Sequence, residues 1–120
     1  MQIPAFLLRK LFVKGSLQNT GDGFAFKIKN SLSPGTAVGV DPIKVDGIEY
    51  PIDTLTISSA DGEVKAKEIS AGNAFPIKVG VEITLSVSGA PLAKGTHKID
   101  ISLVTKEAGR LAFDVQDEIV

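Results

Sequence analysis

The chain has 120 residues, a formal net charge of −1, 43% hydrophobic residues and no cysteine. This length fits one domain, and the 13 basic and 14 acidic residues form no run of like charge, which argues against binding to nucleic acid or to an acidic membrane surface. The lack of cysteine excludes disulfides, thiolate nucleophiles and cysteine-based metal sites.

The first thirteen residues are more apolar than a terminal edge strand requires. Their eight apolar side chains belong to Ile3, Ala5, Phe6, Leu7, Leu8, Leu11, Phe12 and Val13. One interpretation is that part of this segment is a core strand and the rest a flap that closes the domain. The other is a contact surface for another chain, with the predicted interface residues Ile3, Phe6, Leu7, Leu8 and Leu11.

Four later segments alternate apolar and polar residues with a period of two, which is typical of β-strands with one buried face. Such strands belong to antiparallel sheets, because strands of parallel sheets are covered on both faces and form continuous apolar runs. The side chains that we expect to face the core are Phe24, Phe26, Ile28, Ile83, Leu85, Ile101, Leu103, Leu111 and Phe113.

Turn residues separate these segments at the spacing of an all-β domain. The candidate turns are Asp22-Gly23, Asp46-Gly47, Asp61-Gly62 and Ala108-Gly109, with longer connections at Pro34-Gly35 and Lys94-Gly95. The Asp46-Gly47 pair lies directly between two short β-prone segments, so it predicts a tight two-residue hairpin.

Helix has little room, because glycine or proline recurs throughout the chain, and the best helical candidate is a short turn within residues 65–70. Strands with one apolar face each need a second sheet to cover that face. We therefore predict one all-β domain over residues 1–120, a single antiparallel β-sandwich of eight or nine strands with an immunoglobulin-like architecture.

His97 is the only histidine, and it stands where a predicted strand begins. A single histidine cannot build a histidine-based metal site, and it acts as a base for a nucleophile only if folding brings a serine or threonine to it. We expect it to stabilise the entry of the strand. The alternative is a catalytic role with nearby carboxylates, which would require His97 in a concave pocket beside two acidic groups.

The acidic residues show no spacing of a known cation-binding loop, so we expect no metal. Three of them precede proline or glycine and are expected to form turns: Asp41, Asp46 and Asp61. Asp114 alternates with apolar residues and is expected to face water. The remaining candidates for acid-base chemistry are Glu49, Asp53, Asp117 and Glu118. Residues 35–39 lack the glycine spacing of a phosphate-binding loop.

Four segments together resemble the small β-subunit of C-glycoside deglycosidases: GSLQN (15–19), GFAFKIKN (23–30), IKVDGIEY (43–50) and LAKGTHKIDI (92–101). The same outline is similar to short archaeal chains that carry a hydroxymethylglutaryl-CoA reductase label. The deglycosidase resemblance implies a β-sandwich that docks on a larger, metal-dependent barrel subunit holding the main chemistry. The reductase reaction needs a nicotinamide site, a CoA site and acid-base residues, which neither the length nor the motifs supply.

The function that these patterns favour is a noncatalytic β-sandwich subunit or binding module without a cofactor. Two alternatives stay open, a small stand-alone lyase-like enzyme that uses His97 and a homo-oligomeric structural protein. The expected partner is another protein or a second copy of the chain, and a carbohydrate-related ligand is expected only through a partner subunit. The N-terminus lacks a signal-peptide pattern, so we expect a cytoplasmic protein, and the few thermolabile residues indicate a heat-adapted source.

Overall fold

Two antiparallel sheets pack face to face in the computed structural model of the chain, which describes residues 3–60 and 62–120. The strands are β1 (Gln18–Asn19), β2 (Gly23–Lys29), β3 (Gly35–Val40), β4 (Lys44–Val45), β5 (Ile48–Glu49), β6 (Leu55–Ser59), β7 (Gly62–Lys65), β8 (Phe75–Ile77), β9 (Glu82–Ser88), β10 (Gly95–Thr105) and β11 (Gly109–Ile119). The helical elements are α1 (Ala5–Leu8) and three short 3-10 turns, Arg9–Leu11, Ile52–Thr54 and Ala66–Glu68.

The first sheet has the strand order β1-β2-β9-β6-β7, and the second has the order β5-β4-β10-β3-β8 with β11 also paired to β10. Every pairing is antiparallel, so the predicted all-β sandwich is confirmed. The described residues form eleven strands rather than eight or nine. Strands as short as β1 and β8, with two and three residues, leave little alternation for a sequence pattern to show.

The long strand β10 pairs with β11 along its whole length, so β3 and β4 share its other edge. Val40 of β3 is opposite Leu103, and Val45 of β4 is opposite Ile99. Pro42 lies between these two short strands and has no N–H to donate to β10, which explains why the strand is interrupted there. The predicted Asp46-Gly47 hairpin follows.

Asp46 and Gly47 have φ values of 54° and 83°, which are the positive angles that a two-residue type I′ turn requires. The predicted hairpin is therefore confirmed, and so is the short helical turn within residues 65–70. The predicted Asp61-Gly62 turn includes Asp61, which lies outside the described residues.

The core consists of the inward-facing side chains of both sheets. Seven of the nine predicted core residues are buried: Phe24, Phe26, Ile28, Ile83, Leu85, Ile101 and Phe113. Leu103 and Leu111 are opposite each other in β10 and β11 and are only partly buried. They lie at the end of the sandwich where β2 ends and β11 begins, next to a cavity.

The N-terminal segment forms α1 and a 3-10 turn over residues 5–11, where the expected core strand is absent, and only Phe12 at its end forms an antiparallel bridge, to Ile28 of β2. Its apolar residues Ile3, Leu7 and Leu11 recur every four positions, which is the period of a helix and not of a strand. Backbone N–H groups of Leu7 and Leu8 donate to the carbonyl oxygen of Pro4 and so start the first turn. No helix among residues 3–60 and 62–120 is long and apolar enough to cross a membrane.

Candidate functional site

His97 connects the entry of β10 to two other parts of the chain. Its Nδ1 atom lies 2.6 Å from Asp46 Oδ2, and its Nε2 atom lies 2.7 Å from the carbonyl oxygen of Ala93. The other oxygen of Asp46 accepts a hydrogen bond of 2.9 Å from the backbone N–H of Lys98. The His97 side chain is 11% exposed. We name His97, Asp46 and Ala93 the histidine latch.

Both partners of the imidazole ring are acceptors, because a carboxylate and a backbone carbonyl have no proton to give. A neutral histidine has one N–H group, so it satisfies only one of these contacts, whereas an imidazolium donates to both. The Ala93 carbonyl and then the Asp46 carboxylate raise the pKa of His97, while burial opposes them. The Lys98 backbone N–H and then His97 lower the pKa of Asp46. The latch is therefore a charge-assisted bridge.

A histidine in this state is a poor general base. An imidazolium has no lone pair with which to take a proton, and both of its N–H groups here would be occupied by acceptors of the same chain. One carboxylate, that of Asp46, is in contact with the ring. Asp117 is opposite His97 in β11, but its carboxylate accepts bonds from other groups. A role at the strand entry stays a prediction for His97, and the latch geometry is consistent with it.

Asp117 holds the N-terminal segment against the free edge of β11. Both its carboxylate oxygens accept the backbone N–H of Gly15, at 3.1 and 3.0 Å, and one of them accepts the N–H of Leu17 at 3.0 Å. The residue is buried, which is rare for an acid without such partners. The signal for it was in the sequence, because Asp117 continues the inward-facing alternation of Phe113 and Val115.

Asp114 faces outward, as its alternation with core residues predicts, and it binds Arg9. The Arg9 guanidinium donates to Asp114 Oδ1 at 2.8 Å and to the Asp114 carbonyl oxygen at 2.9 Å. This hydrogen bond from Arg9 is the main reason why the pKa of Asp114 is lowered. The contact occupies a backbone acceptor on the open edge of β11, so it protects that edge from pairing with another strand.

The other predicted acidic candidates do not come together. Asp41 accepts a hydrogen bond from the Ser102 hydroxyl at 2.5 Å and lies 3.2 Å from the Arg110 guanidinium. Three further acids are exposed: Glu49, Asp53 and Glu118. Within the described parts of the chain, no group of three or more histidine, cysteine, aspartate or glutamate side chains is arranged to hold a metal ion. Residues 35–39 lie in β3.

An apolar cavity of about 80 Å³ opens between the two sheets at the end opposite to the histidine latch. We name it the end cavity. Its walls come from the N-terminal segment, the connection between β2 and β3, the end of β8 and the hairpin between β10 and β11. The apolar lining includes Leu8, Leu11, Ile77, Leu103, Leu111 and Phe113. The sequence patterns missed this cavity, because it forms where four separate segments meet.

Three of the five predicted interface residues line this cavity, and two do not. Ile3, Leu8 and Leu11 line it, and Leu8 is only 2% exposed, so its side chain contacts the core of its own chain. Phe6 is 62% exposed, and Leu7 is partly buried. Contact with another chain through this segment stays a prediction, and Phe6 is the residue most available for it.

Comparison with protein families matches residues 7–120 to the family described as hydroxymethylglutaryl-CoA reductase, N-terminal domain. A search of curated proteins finds no match. The matched range contains both sheets, the histidine latch and nearly all of the end cavity. In that family the N-terminal domain is noncatalytic, which agrees with a site whose one histidine is fully engaged. Because the match covers almost the whole chain, this protein belongs to the family of hydroxymethylglutaryl-CoA reductase N-terminal domains.

Proposed function

We propose that this chain is a noncatalytic β-sandwich module that acts by binding another protein chain. The observation that carries the proposal is the histidine latch, in which both ring nitrogens of the only histidine are bound to acceptors of the same chain. Membership of a family of noncatalytic domains supports it. The acids Asp114 and Asp117 support it as well, because they bind Arg9 and backbone N–H groups in roles that stabilise the fold.

The partner that we propose is a larger catalytic chain, with this protein as the small subunit of a complex similar to a C-glycoside deglycosidase. The support is the resemblance of residues 15–19, 23–30, 43–50 and 92–101. These segments contribute β2, the β4–β5 hairpin and the first half of β10, which belong to both sheets. In this proposal, a carbohydrate-related substrate is bound by the larger chain.

Co-purification from the source organism tests the proposal. A C-terminal affinity tag suits the chain, because Val120 is fully exposed and lies at the end of the sandwich opposite to the end cavity. We expect a larger chain to be recovered in a fixed ratio, and mass spectrometry then identifies it. Recovery of the tagged chain alone, with a mass near 12.6 kDa by light scattering at micromolar concentration, would contradict the proposal.

Two other results would support the rival functions. A multiple of the chain mass without any other protein would favour a homo-oligomeric structural protein. The rival enzyme is tested by comparing the activity of material purified with the wild-type chain and with the His97→Ala variant. We expect a change of no more than a few fold. A loss of a hundredfold or more, with an unchanged circular dichroism spectrum, would instead favour catalysis by His97.

A further inference from the structure

Three of the four polar side chains that line the end cavity are bound within the chain, and the fourth is the exposed Ser33 hydroxyl. The buried Asn30 side chain donates to the carbonyl oxygens of Ser33 and Ile77 and accepts from the Leu32 N–H. The Thr105 hydroxyl donates to the Gly109 carbonyl oxygen and accepts the Ala108 N–H. The third polar lining group, the Glu107 carboxylate, accepts two bonds from Thr36. Because the rest of the lining is apolar, a ligand that enters the cavity is recognised mainly through its own apolar surface.

Exposed apolar side chains lie around the same end of the sandwich. Leu32 lines the cavity and is 36% exposed. Val79 is 52% exposed and lies in the turn between β8 and β9. This turn is close to the cavity, because the Gly80 N–H donates to the carbonyl oxygen of the lining residue Asn30 at 2.7 Å. Phe6 projects from α1, whose Leu8 lines the cavity. Apolar surface concentrated in one place marks an interface with another chain.

Positive charge surrounds this apolar surface. Two arginines in this region, Arg9 and Arg110, are paired with carboxylates of the same chain, at 2.8 and 3.2 Å. The charge that distinguishes this end of the sandwich therefore comes from exposed lysines beside the cavity lining. Exposed Lys10, Lys29 and Lys106 are each next in sequence to a residue that lines the cavity. An incoming surface with negative charge is therefore attracted to this end, and a positive one is repelled.

The size of the cavity selects what fills it. An engineered apolar cavity of about 150 Å³ holds a benzene molecule. At about 80 Å³, the end cavity has roughly half that space, which suits one branched aliphatic side chain better than an aromatic ring. One aliphatic side chain held in a pocket can anchor the centre of a binding interface.

We propose that the end cavity receives an aliphatic side chain, such as leucine, from an acidic segment of a partner protein, with Lys10, Lys29 and Lys106 facing the acidic residues on either side of it. This deepens the proposed function, on which it rests, by naming the surface that binds the partner and the chemistry of the segment that it binds. Phe6, which belongs to the predicted interface, lies on the same short helix as the lining residue Leu8.

The probe is the peptide acetyl-Glu-Glu-Leu-Glu-Glu-amide, titrated into the isotope-labelled full chain and followed by NMR. We expect weak binding, with the shifted amide signals confined to the segments that line the cavity, residues 3–11, 28–35, 77 and 103–113. A peptide with lysines in place of the glutamates should bind at least tenfold more weakly, and so should peptides with serine or phenylalanine in place of the leucine. Added salt should weaken binding of the acidic peptide. Equal binding of the acidic and basic peptides would overturn the proposal.

Matched variants separate the charge of the surface from its cavity. The double variant Lys29→Glu, Lys106→Glu should weaken peptide binding at least tenfold, whereas Lys65→Glu, Lys67→Glu on exposed residues near the other sheet edge should leave it unchanged. Ala108→Leu should fill the cavity and abolish binding. Its control is Ala112→Leu, at an exposed position of the outer sheet face. Thermal unfolding of each variant shows whether it is folded.

Two outcomes would overturn this inference and leave the proposed function intact. One is a co-purifying chain that is retained at the wild-type level by Ala108→Leu and by the double charge variant, which would place its binding elsewhere. The other is a dimer in solution that the same variants dissociate. Exposed Ile48 lies at the opposite end of the sandwich, in a hairpin that also carries Asp46 and Glu49, so a second copy would then be the occupant. Ile48→Ser identifies that case, because it would also dissociate such a dimer.

Discussion

His97 Nδ1 and Asp46 Oδ2 are 2.6 Å apart, although 51 positions of the chain separate the two residues. The pairing of β4 with β10 brings them together, since Asp46 follows directly on Val45, which is opposite Ile99. Asp46 therefore has two roles. Its backbone forms the first half of the hairpin turn, and its carboxylate binds the imidazole ring of His97.

The latch predicts that the chain loses stability as the pH rises above neutrality. The pKa of His97 is raised above its ordinary value of 6.5, so its contribution is complete below pH 6.5 and is lost as the pH rises through the raised value. The pKa of Asp46 is lowered from 3.8, so its contribution is lost as the pH falls below that value. Urea unfolding between pH 4 and 9 should show the largest latch contribution between these limits.

His97→Gln provides the comparison for this pH profile, because the chain has no other histidine and no cysteine that titrates in that range. The decline in the free energy of unfolding from pH 6.5 to 9 should be smaller in the variant. Asp46→Asn removes the charge and keeps an Asn-Gly turn, which the hairpin accepts. A double-mutant cycle should give a coupling of about 0.5 to 1 kcal/mol, since Asp46 is half-exposed. Parallel pH profiles for wild type and His97→Gln would contradict the latch.

Much of the fold could be predicted because it depends on local signals. Alternation identified the core faces of the long strands, and Asp46-Gly47 identified its hairpin. The partner of His97 could not be predicted, because it depends on which strands pair, and no local pattern encodes that. The structure of the N-terminal segment was misread for another reason. Consecutive apolar residues such as Leu7 and Leu8 fit a buried strand or a helix, and only the spacing from Ile3 to Leu11 favours the helix.

Phe26→Ala should cost about 3 to 5 kcal/mol in the free energy of unfolding, because the ring is 0% exposed and truncation leaves a cavity between the sheets. Phe6→Ala is the matched control, since the same substitution at an exposed ring should change stability by less than about 0.5 kcal/mol. Chemical denaturation of both variants makes the comparison. A cost below about 1 kcal/mol at Phe26 would mean that the faces of β2 are reversed.

Gly23→Ala should destabilise the chain by about 1 to 3 kcal/mol, because a Cβ atom at this position would overlap the backbone carbonyl oxygen of Val87. A backbone atom cannot move aside as a flexible side chain does, so the pairing of β2 with β9 would have to shift. Gly21→Ala is the control in the same turn, since a Cβ there meets no atom within 4 Å. Equal melting temperatures for the two variants would show that β2 and β9 are less closely apposed.

Asp117→Ala should cost about 2 kcal/mol or more, because it leaves the buried backbone N–H of Leu17 and the part-buried N–H of Gly15 without their acceptor. Glu118→Ala removes a carboxylate from the adjacent, exposed position and should change stability by less than about 0.5 kcal/mol. Hydrogen exchange measures the local effect, since the amides of Gly15 and Leu17 should exchange faster in Asp117→Ala and at the wild-type rate in Glu118→Ala. This loosening would separate the N-terminal segment from the edge of β11. Unchanged protection of both amides in Asp117→Ala would show that β1 and the Phe12–Ile28 bridge hold the segment without the carboxylate.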